Sequence, residues 1–150
     1  MLFFEDLEVG AKRRYGRYEV TREEVLDFAR KYDAQPFHLD DEAAAKTHFG
    51  RIAASGWHTC SMTMAMMVED MAIAPRAMLG AFGVDELRWL KPVFPGDVLS
   101  CEMEIFDKRL SQSKPGIGIL TLASTTFNQH EEPVLTMRPI TMVRTRGAGV

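Results

Sequence analysis

The sequence predicts an α+β fold in which an antiparallel sheet wraps around one long helix. The chain has 150 residues, the usual size of one domain, so we expect a single domain over residues 1–150. Residues 57–71 would carry apolar side chains on most faces of a helix, and from residue 79 onward apolar and polar residues alternate as in strands. Since a sheet must cover its apolar face, and only this helix is long and apolar enough to do so, we expect the sheet to curl around it.

A strand is predicted over residues 11–20, and a helix follows it. Residues 21–24 are Thr-Arg-Glu-Glu, which has the form of a capping box. In such a box Thr21 accepts a hydrogen bond from the N–H of Glu24, and the Glu24 side chain reaches back to the N–H of Thr21. The helix should end before Pro36, because proline disfavours the helical conformation in the residue before it.

Two short segments separate this helix from the central one. Residues 33–38 are predicted to form a tight turn that proline stiffens. Either Asp40 or Asp41 can cap a short second helix over residues 42–46. The Phe-Gly-Arg sequence at residues 49–51 then ends that helix.

The central helix opens at Ser55 and Gly56. Ser55 is a good N-cap, although it could equally hydrogen-bond a bound molecule or water. Because the helix is apolar on most faces, we expect it to be buried, with its methionines filling irregular gaps in the core. Trp57 and Phe82 are also expected in the core, although either could line a pocket.

Four strands are predicted in the second half of the chain, separated by turns rich in glycine, proline and polar residues. Their alternating apolar residues lie at Leu87–Trp89, Leu99–Ile105, Ile117–Thr121 and Val134–Val143. Pro139 lies inside the last of these strands. Because proline cannot donate to a β-ladder, we expect that strand to be an edge strand or to be bulged there.

Composition and charge argue against several classes of function. The net charge is −3 without a Lys/Arg cluster, so no nucleic-acid partner is expected. The longest apolar stretch is too short to span a bilayer, so no membrane partner is expected either. The two cysteines form no CxxC pair, which suits a reducing cytoplasm. His38, His48 and His58 are too evenly and widely spaced for a compact ligand pattern, so no metal is expected.

Two candidate proton-transfer groups lie in one short turn. Asp33 and His38 are close in sequence, and a carboxylate and an imidazole on one loop can point into one pocket, hold a water molecule and move protons. The spacing alone leaves an alternative open, because turns that contain Asp are also common on protein surfaces.

Three segments of the chain match the pattern of one known family. Residues 33–38 are Asp-Ala-Gln-Pro-Phe-His, residues 49–56 are Phe-Gly-Arg-Ile-Ala-Ala-Ser-Gly, and residues 87–97 end in Lys-Pro-Val-Phe-Pro-Gly-Asp. In this order they resemble the Asp-x-Asn-Pro-(aliphatic)-His signature, the stretch that leads into the central helix, and the Pro-Val-x-x-Gly-Asp strand end of the MaoC-like, R-specific enoyl-CoA hydratases. The resemblance covers residues 33–97.

The resemblance implies the hotdog fold, an antiparallel sheet curled around a long helix, which agrees with the architecture predicted above. It also implies a hydratase or dehydratase that adds water reversibly to the C2=C3 double bond of an enoyl-CoA or carrier-protein thioester. No cofactor is implied, because the acyl-CoA thioester is the substrate. Members of this family usually form dimers with the pocket near the interface, so a homodimer or higher homo-oligomer is expected.

The same resemblance implies roles for particular residues. Asp33 and His38 correspond to the catalytic pair, and Gly56 corresponds to the oxyanion site. Free N–H groups and the positive end of the helix dipole favour an enolate oxygen near Gly56 on physical grounds as well. The other expected substrate contacts are Ser55, Gln35, Phe37 and Trp57. Gln35 and Phe37 depart from the family pattern of Asn and an aliphatic residue, which bears on substrate choice.

Two other functions fit the same fold. In a hotdog acyl-CoA thioesterase, water attacks the thioester carbonyl and a free thiol appears. A non-catalytic acyl-thioester-binding module would bind without turnover. The pair of Asp33 and His38 favours hydration over thioester hydrolysis, because protonating a carbon atom requires an acid that direct hydrolysis does not need. It also argues against a binding module, which needs no proton-transfer groups.

Overall fold

The fold is built on one antiparallel sheet. The computed structural model describes residues 1–147, so the last three residues of the expected domain lie outside the described part of the chain. The strands are β1 Lys12–Glu19, β2 Met78–Trp89, β3 Val98–Leu110, β4 Ile117–Phe127 and β5 Pro133–Arg144, and the helices are α1 Arg22–Tyr32, α2 Pro36–Leu39, α3 Asp41–Ala45 and α4 Gly56–Ile73. The strands pair in the order β1-β3-β4-β5-β2. With α4 packed on β1 and β3, this is the predicted α+β architecture.

β1 and α1 form where the sequence predicts them. Thr21 caps α1 as expected, since its hydroxyl accepts a hydrogen bond from the N–H of Glu24 (3.3 Å). The predicted return bond from the Glu24 side chain is wrong. The Glu24 carboxylate instead accepts from the hydroxyl of Tyr18 and lies 3.4 Å from Nε2 of His58. Glu24 therefore ties α1 to both β1 and α4.

The predicted turn after α1 contains one turn of helix. α2 begins at Pro36, whose fixed φ suits the first position of a helix, and it includes His38. Asp40, rather than Asp41, caps α3, because its carboxylate accepts from the N–H of Ala43 (2.8 Å). The turn over residues 33–38 is therefore confirmed in its first half and replaced by α2 in its second.

α4 packs one side into the core and leaves another side open. Met62 and Met66 are almost fully buried, as expected of core methionines. Trp57 is 58% exposed, and Phe82 on β2 is 57% exposed, so the prediction that both lie in the core is wrong for this single chain. The strands of one chain cover only part of the α4 surface that carries Trp57, and Phe82 lies on the edge strand β2. None of the helices within residues 1–147, α4 included, is long and apolar enough to cross a membrane.

β5 is an interior strand, because it lies between β4 and β2. Of the two alternatives predicted for the strand that contains Pro139, an edge position is therefore wrong. Pro139 pairs with Val84 of β2, and the ladder shifts register on both sides of this pair, at residues 81–83 and 85–88 of β2. Because proline has no N–H to donate, a bulge is favoured beside it, and the extra residues of these register shifts lie in β2 rather than in β5.

β2 forms one edge of the sheet, and its outer side is unpaired within residues 1–147. Leu79, Phe82 and Val84 along it are all exposed. A long apolar edge strand is a template for pairing with another chain. This edge and the open side of α4 together form an apolar surface that the single chain does not cover.

Candidate active site

Asp33 and His38 meet at the end of α1. Asp33 directly follows the last residue of α1, and His38 lies in the single turn of α2. Because Pro36 starts a new helix between them, the chain bends and brings Oδ2 of Asp33 to 3.3 Å from Nε2 of His38. The structure therefore brings together the two side chains that the sequence singles out.

A backbone carbonyl fixes the position of the hydrogen on the His38 ring. Nδ1 of His38 lies 2.7 Å from the carbonyl oxygen of Ala53. Since a carbonyl oxygen only accepts, Nδ1 carries the hydrogen, and Nε2 of the neutral ring presents its lone pair toward Asp33. The N–H of Ala54 donates to the carbonyl of Val93 (2.8 Å), which anchors the segment that holds His38.

Asp33 is held as a carboxylate. Burial raises its pKa, but the hydrogen bond donated by Gln35, together with the neighbouring Ser55 and His38 side chains, outweighs burial, so the pKa of Asp33 lies below its ordinary value. The amide of Gln35 donates to Oδ1 of Asp33 (2.7 Å), while Oδ2 faces His38. Gln35, expected to contact a substrate, therefore contacts the carboxylate of this pair.

The start of α4 presents free backbone donors near the same carboxylate. Ser55 occupies the N-cap position, but its buried hydroxyl makes no capping hydrogen bond. The carbonyl of Ser55 accepts from the N–H of His58 (2.9 Å). Within residues 1–147 the N–H groups of Gly56 and Trp57 have no backbone acceptor. Lying at the positive end of the helix dipole, these two donors can stabilise a developing negative charge.

Trp89 covers the first turn of α4, although nothing in its sequence pattern predicts it as a site residue. Its indole N–H donates to the carbonyl of Gly56 (2.8 Å), and its ring meets that of Trp57 edge to face. A methyl group on Gly56 would lie 2.5 Å from the Trp89 ring. Position 56 thus requires glycine because Trp89 fills the space beside it. The only sequence signal for Trp89 is its place in the family-like stretch 87–97.

Phe37 packs against the catalytic candidate His38. The two rings have centroids 4.5 Å apart, and the ring of Phe49 lies 5.7 Å from that of Phe37. These aromatic groups shield part of the imidazole from water. The departure of Phe37 from the aliphatic family residue therefore adds a ring beside His38, and Phe49 is a further neighbour that the sequence did not identify as part of the site.

A groove of about 840 Å³ begins at Trp57 and follows the open side of α4. Its lining is mostly apolar and includes Cys60, Met64, Met67, Met71 and Leu87. A volume of this size is within the range of sites that bind small molecules and cofactors. Trp57 in this lining is the residue after Gly56, whereas Asp33, His38 and Gly56 themselves do not line the groove.

Comparison with known proteins gives consistent family and fold relationships. Residues 6–128 match the model of the MaoC-like domain family. Over 125 residues the chain is 30% identical to the (R)-specific enoyl-CoA hydratase of Aeromonas caviae, an alignment that covers 83% of this chain and 87% of that protein.

Two solved structures share the fold. The MaoC-like dehydratase of Rhodospirillum rubrum superposes with a TM-score of 0.87 at 38% identity and covers 97% of this chain and 99% of its own. A Mycobacterium tuberculosis protein described as having a double hotdog fold gives a TM-score of 0.75 over 99% of this chain and 46% of its own. That protein is 18% identical, so this likeness shows the fold alone. The fold of this chain is therefore the hotdog.

Proposed function

Because this chain belongs to the MaoC-like domain family, we propose that it is a hydratase that adds water reversibly to the C2=C3 double bond of an enoyl thioester. An enoyl-CoA is the proposed substrate, and a carrier-protein thioester would offer the same reacting atoms. No cofactor takes part in the proposed reaction. The cytoplasm is the proposed compartment, since Cys60 and Cys101 are both free thiols.

The observation that carries this proposal is that two hydrogen-bond acceptors face each other. Nε2 of His38 and Oδ2 of Asp33 are 3.3 Å apart, and neither holds a hydrogen when the ring is neutral and the carboxyl is ionised. A water molecule bound by both can donate one hydrogen to each. Its lone pairs then point away from the pair and are available to attack a substrate carbon.

The proposed reaction uses one water molecule and regenerates the site. The water oxygen forms a bond to the β-carbon while one of its hydrogens passes to Nε2 of His38. The π electrons of the C=C bond move toward the thioester carbonyl, whose oxygen is held by the N–H groups of Gly56 and Trp57 as its charge develops. The His38–Asp33 pair then delivers the proton to the α-carbon, so the product contains all the atoms of the water.

The groove along α4 is the proposed path of the acyl chain. It starts at Trp57, beside the proposed oxyanion donors, and its lining is largely apolar, as an acyl chain requires. Ser55 and Trp57 are the proposed contacts of the thioester group. Phe37, packed on the His38 ring, is the proposed contact nearest the reacting carbon atoms.

We also propose that two copies of the chain form a homodimer through β2 and the open side of α4. Leu79, Phe82 and Val84 on β2 and Met64 on α4 are exposed apolar residues on this side. A second copy would pair with the free edge strand and supply the missing wall of the groove. Dimer formation would therefore both protect the edge of the sheet and close the acyl pocket.

The direct test of the proposed reaction is hydration of crotonyl-CoA, followed by the loss of enoyl absorbance. Asp33→Asn removes the negative charge, and His38→Gln removes the ring nitrogen that accepts the proton. Each variant is expected to lower kcat/KM by roughly 10²–10⁴-fold, the usual contribution of a general acid or base. The matched controls are Asp27→Asn on the exposed side of α1 and His130→Gln in an exposed turn, and both should retain activity.

Other outcomes of this test identify the competing functions. Release of free thiol without hydration would support a thioesterase, and binding of enoyl-CoA without turnover would support a binding module. Full activity in a correctly folded Asp33→Asn or His38→Gln variant would contradict the assigned roles. Thermal unfolding of all four variants shows whether a loss of activity reflects a loss of folding.

A further inference from the structure

Trp89 contacts the peptide group that carries one of the two proposed oxyanion donors. The indole N–H of Trp89 donates to the carbonyl oxygen of Gly56 (2.8 Å). This carbonyl and the N–H of Trp57 belong to one peptide group. A hydrogen bond to the oxygen polarises that group, so the N–H on its other side becomes a stronger donor.

We infer that Trp89 is a positioning residue for the proposed hydration: its indole N–H orients and polarises the Gly56–Trp57 peptide group, whose N–H holds the thioester oxygen. The inference rests on the proposed function. Trp89 acts through Gly56 and not on the reacting atoms themselves.

The sheet fixes the position from which Trp89 acts. Trp89 is the last residue of β2 and pairs with Leu135 of β5, and the N–H of the next residue, Leu90, donates to the carbonyl of Val134 (2.8 Å). The backbone of Trp89 is therefore held by the hydrogen-bonded ladder. A donor placed by the ladder does not need to reorganise when charge develops on the substrate.

The indole ring is confined on the helix side as well. It leaves no room for a methyl group on Gly56, and it meets the ring of Trp57 at 82° with centroids 5.2 Å apart. A ring held between the edge of Trp57 and the bare Cα of Gly56 has little freedom to rotate. The direction of its N–H toward the Gly56 carbonyl is thus defined by packing.

A purely structural role for Trp89 predicts different kinetics from a positioning role. Loss of packing alone would lower stability or weaken binding of substrate and transition state alike. Loss of polarisation weakens the hydrogen bond from the N–H of Trp57 to the thioester oxygen, and this bond matters most in the transition state, where the oxygen becomes negative. The loss therefore lowers kcat and leaves KM nearly unchanged.

The kinetic test uses Trp89→Phe, which keeps an aromatic ring and removes the N–H. With crotonyl-CoA, kcat is expected to fall roughly two- to eight-fold with little change in KM. Complete removal of an oxyanion donor lowers kcat by ~10²–10³-fold. The bond from Trp89 is expected to supply ~10–30% of the strength of that donor, so its loss should cost the same fraction of the effect on a logarithmic scale. Phe106→Leu is the matched control, because Phe106 is 46% exposed and Trp89 45% exposed. Phe106 belongs to β3 and stacks with Arg138, whereas Trp89 pairs with Leu135 and bonds to Gly56, so this control should keep full kcat.

A second measurement does not depend on turnover. Butyryl-CoA, a saturated thioester, is titrated into isotope-labelled protein while the amide proton of Trp57 is observed. We expect this resonance to move downfield in the parent protein and to move less in Trp89→Phe. Equal displacement in the two proteins, or no displacement in the parent, would overturn the inference.

The two measurements separate this inference from the proposed function. If the parent protein does not hydrate crotonyl-CoA, the proposed function fails, and the amide displacement still decides whether Trp89 polarises the peptide group. If hydration occurs, an unchanged kcat in Trp89→Phe, or an equal loss in Phe106→Leu, also overturns the inference.

Discussion

At the scale of single residues, His58 shows how burial sets a charge state. Its side chain is 2% exposed, its ring stacks on that of Phe28 (4.7 Å, 7°), and its Nδ1 has no hydrogen-bond partner within residues 1–147. Burial lowers the pKa of His58 from the ordinary value of 6.5, and the nearby Glu24 carboxylate opposes this only in part. The neutral ring is therefore favoured in the folded protein.

This lowered pKa predicts a pH dependence of stability. Below the unfolded-state value of 6.5, the unfolded chain binds a proton at His58 that the folded protein excludes, so the free energy of unfolding should fall as the pH decreases from about 7.5 toward 5. His58→Phe, which keeps a ring beside Phe28, should make this decrease shallower. Urea unfolding across that pH range measures the effect, with the exposed His130→Gln as control. An unchanged slope in His58→Phe would contradict the prediction.

The site residues that could be predicted from sequence are those that interact locally. Asp33 and His38 lie in one turn, so their meeting follows from the path of a few residues. The bond between Trp89 and Gly56 joins positions 33 residues apart, and only the assembled sheet brings them together. Glu24 shows the same limit, because its predicted local capping bond gives way to a hydrogen bond with Tyr18 and proximity to a buried histidine.

At the scale of secondary-structure elements, β1 is shaped by its contact with α4. Gly16 has φ +83° and lies where the ladder between β1 and β3 shifts register. A Cβ at this position would lie 2.6 Å from Sδ of Met66, whose side chain is buried in the core. The bulge therefore brings the bare backbone of β1 close to the central helix, and both its conformation and its packing favour glycine.

Gly16→Ala should destabilise the protein by about 2–4 kcal/mol, the sum of a left-handed alanine and overpacking against Met66. Gly50→Ala is the matched control, because Gly50 has φ +71° with open space around it and should cost only about 1 kcal/mol. Denaturant unfolding measures both free energies. Equal losses in the two variants would show that contact with Met66 adds nothing.

The sequence pattern predicts the secondary-structure elements themselves, but it does not predict which elements pack or pair with one another. The alternation of apolar residues correctly indicates β2 to β5, since it follows directly from the pleat of a strand. Pro139 predicts either an edge strand or a bulge, but the order of strands depends on long-range pairing, and the register irregularity lies in the neighbouring strand β2. The apolar surface of α4 is also correctly indicated, although periodicity alone does not show whether a helix face packs on its own sheet.

At the scale of the whole molecule, the apolar surface formed by β2 and the open side of α4 is not covered by any other part of the described chain. Trp57 and Phe82, predicted for a core, are both more than half exposed there. Their apolar character and the free edge of β2 have one common explanation, the proposed homodimer, in which a second chain covers them.

Phe82→Lys should therefore weaken self-association by roughly 30-fold or more, because a charge replaces an aromatic residue in the middle of the proposed interface. Phe106→Lys makes the same exchange at a similarly exposed position of the interior strand β3 and should leave association unchanged. Sedimentation velocity over a range of protein concentrations measures both variants. A parent protein that stays monomeric at all concentrations would refute the dimer, and larger species would indicate a higher oligomer.

The carbonyl of Ala53 that accepts from His38 has a consequence for how the protein tolerates mutation. The group that selects the imidazole tautomer belongs to the main chain, so no single amino-acid exchange can delete it. Other small side chains at position 53 should preserve the hydrogen bond between this carbonyl and His38, provided that they fit the buried site. A one-residue insertion or deletion before α4, in contrast, would displace the carbonyl. Genetic variation in this loop is thus constrained in length more than in chemical identity.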